Sequence, residues 1–412
     1  MDKAAPAGLH PPWPLVRIAA KQHKGANVPI ATLPHKSITP QIPFSFDGLL
    51  QTAIPPDYLA TNAIKVIDGQ LRFALVDGDA NQSLGLFPDN SIDCVITSPP
   101  YWNLREYAVS TENDKSAIGL ESTFEEYLSK IKGIFAKIHR LLKPSGSLWL
   151  NIGDKYHNKR LLGLPWRIAI GLQDQGWILR NEVIWNQSKG SISCKDRLRM
   201  NRESVFHFVK QTKYYYNWQD ILVKPTKQPT SKNGKIISAT GVSGRKYRQQ
   251  IQESIALTTQ EKVEALQALE DTLEDIKNGV LVDFRMTIRG QQRILHGNST
   301  KLSGRAKDLE GKGFYILKSK ASGYLPSDIW TIVPEDEWRT DTHCAVFPVA
   351  LLETPIKATC PENGIVLDPF VGTGSAVVAA LQFERRAIGI DISREYLELA
   401  TQRIHKMAGL LS

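Results

Sequence analysis

The chain has 412 residues, 42% hydrophobic, 23% charged and 8% aromatic, the composition of a globular protein long enough to bury a sizeable core. No apolar run approaches the roughly 18 residues of a membrane span, and the segment MDKAAPAGLHPPWPLVRIAAKQHKG lacks the apolar stretch of a secretory signal, so a cytoplasmic protein is expected. A formal net charge of +9 favours a polyanionic partner, and Cys94, Cys194, Cys344 and Cys360, with no CxxC spacing, give no reason to expect a zinc site or a disulfide framework.

Residues 1–65 carry repeated prolines (PPWP, TLPHKSITPQIP, AIPPDY) and little periodicity, and read as an irregular arm. From Leu71 the pattern turns to alternating strands and helices. LRFALVDGD predicts a strand closing in Asp77-Gly78-Asp79, and SIDCVIT predicts a second strand that ends abruptly in TSPPYW. STFEEYLSKIKGIFAKIHRLLKPSG then predicts a helix, opened by a capping box from Ser122 to Glu125 and apolar along one face. SLWLNIGD reads as a strand, LPWRIAIGLQDQG as a helix and WILRNEVIWN as a strand, so residues 66–185 form half of a mostly parallel sheet covered on both faces.

Near Asn186 the pattern breaks. Residues 186–320 hold 25 Lys and Arg against 13 Asp and Glu, which leaves the rest of the chain net negative. The region 186–322 reads as an inserted module, loop-rich and basic, with one clear helix in TTQEKVEALQALEDTLEDIKNG, capped by Thr258 and Glu261 and stopped at Gly279. Lys189, Lys195, Arg197, Arg199, Arg202, Lys210, Lys213 and the Tyr214-Tyr215-Tyr216 run are suited to phosphate contacts and base-edge readout; Arg245, Arg248, Arg289, Arg293 and Arg305 are further candidates.

Residues 323–412 return to the α/β pattern. GIVLDPFVGTGS predicts a strand ending in a glycine turn that opens a helix, RAIGID a last strand and REYLELATQRIHKM a last helix. Glycines at Gly372 and Gly374 let the backbone approach a ligand closely, and the helix N-terminus offers unpaired N–H groups. Asp391 closes the next strand 19 residues after Gly372, near the spacing at which an acid meets ribose hydroxyls. The third glycine of a pyrophosphate fingerprint is replaced by Val377, which disfavours NAD and FAD. A cofactor with a ribose and no phosphate, such as S-adenosylmethionine, needs only the close approach and the acid.

With TSPPYW and DPFVGTGS in this order, the chain resembles the β group of exocyclic-amino DNA methyltransferases, in which an S/D/N-PP-Y motif precedes the recognition domain and an FxGxG motif follows it. The resemblance spans roughly residues 70–215 and 323–405 and includes LVDGDANQSL, GSLWLNIGDKY, RLRMNRESVFHFVKQTKYYYN and SDIWTIVPEDEWRTDTHCAVFPVALLETPIKA. It implies a Rossmann-like, S-adenosylmethionine-dependent methyltransferase fold, circularly permuted, with a target-recognition insert at 186–322. By position it implies that Phe370, Gly372 and Gly374, in the strand-end segment from Asp368, shape the cofactor pocket. Asp391 would hold the ribose, Asp79 meet the adenine, and His343, Phe347 and Pro348 flank the methionine moiety. The loop after NEVIWN reads NQSKGSISCKDRLRMNRE in place of the family's usual Lys-Pro-Asn, and Cys344 follows the histidine.

Ser98, Pro99, Pro100 and Tyr101 are the expected catalytic residues. An exocyclic amine is a poor nucleophile because its lone pair is delocalised into the base. Ser98 Oγ and the Pro99 carbonyl can each accept one N–H and localise that lone pair toward the methyl donor. The prolines stiffen the loop and offer no competing donor, and Tyr101 offers a face for a base flipped out of the duplex. A ring-carbon methyltransferase would need a nucleophilic cysteine after proline, and none of the four follows one.

In this family serine accompanies cytosine N4 and aspartate adenine N6, so the expected reaction is N4 methylation of cytosine in duplex DNA within a restriction–modification system. A cognate restriction endonuclease is a candidate partner. Adenine N6 methylation is the first alternative; RNA methylation and a DNA-binding module without catalysis are the others.

Overall fold

The computed structural model describes residues 58–102, 118–187, 195–232, 235–290, 304–334, 337–338 and 348–409. In chain order these hold α1 (Ala60–Ile67), β1 (Phe73–Asp77), the short α2 (Ala80–Ser83), β2 (Ile92–Thr97), α3 (Phe124–Leu141) and β3 (Leu142–Ile152). The β4 (Tyr156–His157) and β5 (Arg160–Leu161) hairpin follows, then α4 (Leu164–Gln173), β6 (Ile178–Asn186), β7 (Arg202–Val209) and a second hairpin of β8 (Thr230–Lys232) and β9 (Lys235–Ile237). Next come α5 (Arg245–Glu253), α6 (Thr259–Lys277), β10 (Leu281–Ile288), α7 (Gly304–Gly311), β11 (Phe314–Lys320) and β12 (Ile329–Thr331). The chain closes with α8 (Val349–Thr359), β13 (Ile365–Asp368), α9 (Ser375–Gln382), β14 (Arg386–Asp391) and α10 (Arg394–Met407).

Eight strands form one sheet in the order β1-β14-β13-β2-β3-β7-β6-β12. β2 is buried along its whole length, as its unbroken run IDCVIT requires of a strand covered on both faces. One face is packed by α1, α3 and α4 through Ala63, Tyr127, Ile131, Phe135 and Ile168. The other is packed by α8, α9 and α10 through Leu352, Ile356, Val377, Leu397 and Ile404. The expected parallel sheet with helices on both faces is therefore present, with one exception. β7 runs antiparallel to both its neighbours, β3 and β6.

That exception moves a boundary. Residues 202–209 were expected within the inserted module, yet they form an interior strand of the main sheet. The basic segment preceding them hid a strand whose own sequence, VFHFV, is almost fully buried. Downstream, α5, α6, β10 and β11 enclose a separate small core of Ile251, Ala265, Leu269, Phe284 and Met286, so the expected helix is core material of a subdomain.

Helix ends fall close to their expected places. The box that opens α3 is Thr123 with Glu126, one residue after the expected pair, because Thr123 takes the extended conformation of an N-cap. The Thr258–Glu261 box of α6 stands as expected, and α10 begins and ends where the sequence placed it. Cys94 and Cys360 are buried free thiols, while Cys194 and Cys344 lie outside the described residues.

Candidate functional site

The sheet order creates the site. From β2 the chain crosses through α3 to β3 on one side, and from β13 it crosses through α9 to β14 on the other. These crossovers diverge, so the loops leaving the carboxyl ends of β2 and β13 part company and leave a crevice at the switch point. TSPPYW leaves β2 there and DPFVGTG leaves β13. Two residues 271 positions apart in the chain are brought side by side: Thr97 Oγ1 donates to Asp368 Oδ1 at 2.7 Å in the buried interior.

On the glycine side, Asp368 Oδ1 also accepts the Phe370 N–H at 3.0 Å, whereas its Oδ2 is buried with no hydrogen-bond partner among the described residues. Burial pushes this carboxyl up to about 7, against the lowering effect of the Thr97 and Phe370 bonds. Gly372 and Gly374 both have positive φ, and the latter caps α9. Asp391, at the end of β14, accepts the Gly372 N–H at 2.8 Å and the Ser393 N–H at 2.9 Å, and burial raises it to about 6.

β1 lies beside β14 with Asp77 opposite Asp391, and the Gly78 N–H donates to the Asp391 carbonyl. Asp79 is thereby set at the same edge, where its side chain caps α2 through the Gln82 N–H. Pro348 is the buried N-cap of α8. His343 and Phe347 lie outside the described residues.

On the catalytic side, Tyr127 Oη donates to the Pro100 carbonyl at 2.9 Å, while among the described residues nothing donates to the Pro99 carbonyl. Trp102 supports the loop from beneath: its indole N–H donates to the Glu121 carbonyl at 2.9 Å and its ring meets Phe124 edge-on. Tyr101 is half-buried against Gly153, where a Cβ would stand 2.9 Å from Cε2. Its hydroxyl donates to Glu203 Oε2 at 2.8 Å and lies 3.4 Å from Ser98 Oγ.

Asn151, in β3, reaches Ser98 Oγ, Tyr101 Oη and Glu203 Oε2 with its Nδ2, and Gln187 Nε2 donates to Glu203 Oε1 at 2.8 Å. Sequence reading passed over Glu203, Asn151 and Gln187. The missing signal was the course of β7, which carries Glu203 back alongside β3 to the level of Ser98.

The expected basic contacts divide. Arg202 opens β7 opposite Asn186, Lys195, Arg197 and Arg199 lie in the segment that leads into it, and Arg197 is stacked 3.9 Å from the Tyr156 ring centroid. Lys213 follows the far end of β7. Beside it, Lys210 Nζ bonds the Leu142 carbonyl where β3 begins, roughly 25 Å from Ser98 at about 3.3 Å per residue.

Tyr214 and Tyr216 pack on His207, a ring stacked on Trp149 and pushed down to about 3 by burial, while Tyr216 stays exposed on its outer side. Arg248 is engaged in a two-pronged pair with Glu270, Arg289 binds Glu261 and the Ala256 carbonyl, and Arg245 is exposed at the start of α5. Lys189 and Arg293 lie outside the described residues.

A family model described as DNA methylase, covering N6 and N4 enzymes, matches residues 92–402. The type II methyltransferase M.SfiI of Streptomyces fimbriatus is 28% identical over 382 residues, which cover 79% of this chain and 89% of that protein. M.SmaI of Serratia marcescens, also a type II methyltransferase, is 27% identical over 360 residues, 80% and 90% of the two chains. Among solved structures, PvuII DNA methyltransferase (cytosine-N4-specific) aligns with a TM-score of 0.47 at 15% identity, covering 82% of this chain and 92% of that one.

Proposed function

The chain belongs to the DNA methylase family, and on that premise we propose that it moves a methyl group from S-adenosylmethionine to the N4 amine of a flipped-out cytosine in duplex DNA. We also propose that it serves a restriction–modification system with a cognate endonuclease. One observation carries the reading: Ser98-Pro99 and the Asp368–Gly374 loop leave adjacent strand ends, joined by the Thr97–Asp368 bond.

The glycine side fits the cofactor. A buried carboxylate oxygen without a partner suits an ammonium group, a strand-end acid suits ribose hydroxyls, and positive-φ glycines admit close backbone approach. Asp368, Phe370, Gly372, Gly374, Asp391 and Asp79 would hold it, with Pro348 beside the methionine end. Bound there, it supplies an electrophilic methyl on a sulfonium.

The chain's own residues prepare the nucleophile. Ser98 Oγ and the Pro99 carbonyl accept the two N–H groups and localise the nitrogen lone pair. Tyr101 presents its ring to the extruded base, a stacking contact worth about 1–3 kcal/mol, while Gly153 and Trp102 fix the loop from behind. Serine at this position supports cytosine over adenine by its association with N4 chemistry in the family.

The test is to incubate the protein with duplex DNA and labelled S-adenosylmethionine, digest to nucleosides and identify the product by mass spectrometry. N4-methylcytosine is expected. N6-methyladenine would overturn the substrate, and absence of label in any DNA would overturn the activity.

A further inference from the structure

We propose that Glu203 is the counter-charge and final proton acceptor for the target amine, acting through the Ser98 and Tyr101 hydroxyls; the proposal rests on the amino-methyltransferase reading above. When the amine attacks, its lone pair forms the new N–C bond, the C–S bonding pair goes to sulfur, and the nitrogen gains the positive charge that sulfur loses. One N–H proton must then leave. Neither an alcohol nor an amide carbonyl can keep it, so Ser98 and Pro99 alone leave the step unfinished.

The structure supplies the acceptor. O–H donation runs from Ser98 Oγ to Tyr101 Oη at 3.4 Å and from Tyr101 Oη to Glu203 Oε2 at 2.8 Å. Asn151 Nδ2 takes one of the two lone pairs of Ser98 Oγ at 3.4 Å, which leaves the other for the incoming N–H. A proton passed from nitrogen to Ser98 is matched by one passed from Ser98 to Tyr101 and one from Tyr101 to Glu203, so both hydroxyls end as they began.

Glu203 is held by the neutral donors Tyr101, Asn151 and Gln187, and among the described residues no Lys or Arg pairs with it. Within the described residues its charge is therefore dispersed over neutral donors and not cancelled by a cation. Because positive charge moves toward the nitrogen during transfer, a fixed carboxylate on that side stabilises the transition state more than the ground state. Burial, and next the charge on Glu203, keep the Tyr101 phenol protonated, as a relay requires.

Glu203→Gln is nearly isosteric and keeps an acceptor for Tyr101. Its kcat is expected to fall about 100-fold with KM for DNA and cofactor within about twofold of wild type. At saturating cofactor, the acid limb of its kcat/KM profile for DNA, where a carboxylate acceptor becomes protonated, should vanish. Tyr101→Phe keeps the ring and should lose as much, with no further loss in the double variant.

Independently of turnover, a carbon-13 glutamate spectrum of the cofactor-free full chain follows the Glu203 carboxyl, assigned by its absence from Glu203→Gln. Its midpoint should coincide with the wild-type acid limb. An active wild type whose Glu203→Gln variant keeps its kcat and acid limb, or a carboxyl midpoint elsewhere, overturns the role of Glu203 and leaves the activity standing. A wild type that methylates no DNA amine overturns the reading beneath it.

Discussion

Thr97 and Asp368 share a buried 2.7 Å hydrogen bond that ties the last residue of the catalytic strand to the last residue of the glycine-loop strand. The two loops proposed to meet across the transferring methyl are thus set relative to one another at their roots. Replacing Thr97 with Val keeps shape and removes the donor, leaving Asp368 Oδ1 only the Phe370 N–H. The expected cost is about 1–3 kcal/mol at neutral pH, smaller in acid where the carboxyl is protonated, together with weaker cofactor binding. Urea melts and calorimetric titration with S-adenosylmethionine check both.

Asp368 and Asp391 set a pH dependence whose sign follows from burial. Their folded values, raised to about 7 and about 6, lie above the ordinary 3.8. The folded state then holds protons that the unfolded chain has released, so stability from these groups is full below about 4 and is lost as pH rises through about 6 to about 7. In Asp368→Asn the part due to that residue disappears. Melts of both proteins without cofactor, at about pH 5 and about pH 8, should show the variant gaining on wild type at the higher pH.

Much of this was legible in the sequence because it is local. The runs SIDCVIT, GIVLDP and RAIGID are short, apolar and punctuated, and each forms a buried strand of the parallel sheet. Asp391 could be placed by its spacing from Gly372, and the 2.8 Å bond between them is the outcome. Glu203 could not be placed, because its partners Tyr101 and Asn151 precede it by 102 and 52 residues and meet it only through an antiparallel pairing that no local pattern encodes. The tyrosine run shows the same limit: next to lysines it reads as a binding surface, and no local pattern encodes that Tyr214 and Tyr216 also pack on a buried histidine.

Gly374 is required twice. Its φ of +83° penalises any side chain, and a Cβ would lie 2.9 Å from that of Ala400 on α10. Gly176 has a similar φ of +93° with nothing within 4 Å, so alanine there isolates the backbone penalty. Gly176→Ala should cost about 1–2 kcal/mol and Gly374→Ala about 2–4 kcal/mol. Paired denaturant melts measure the difference, which is the close packing of α9 on α10; equal costs would contradict it.

Ser98→Ala removes the side-chain acceptor and leaves Pro99, Tyr101 and the glycine loop in place. Single-turnover methylation should slow by about 100- to 1,000-fold, while calorimetric affinity for S-adenosylmethionine stays within about twofold. A variant that methylates at the wild-type rate would show that the Pro99 carbonyl alone suffices to localise the amine.

Lys213 and Arg202 sit at opposite ends of β7, and their responses to DNA should differ accordingly. Arg202 begins the strand at the level of Ser98, whereas Lys213 follows the end that pairs with the start of β3. A duplex whose extruded base enters at Ser98 should lie against the first end, so Arg202 is expected to neutralise phosphate and Lys213 is not. Removing a cation that neutralises one phosphate reduces the slope of log affinity against log salt by about 0.9. Arg202→Ala should show that reduction in fluorescence-anisotropy titrations, and Lys213→Ala should retain the wild-type slope. Arg248 makes a third case, because its guanidinium is already held by Glu270. Arg248→Ala should loosen α5 from α6 and leave the slope unchanged, so that stability and DNA affinity separate at this residue.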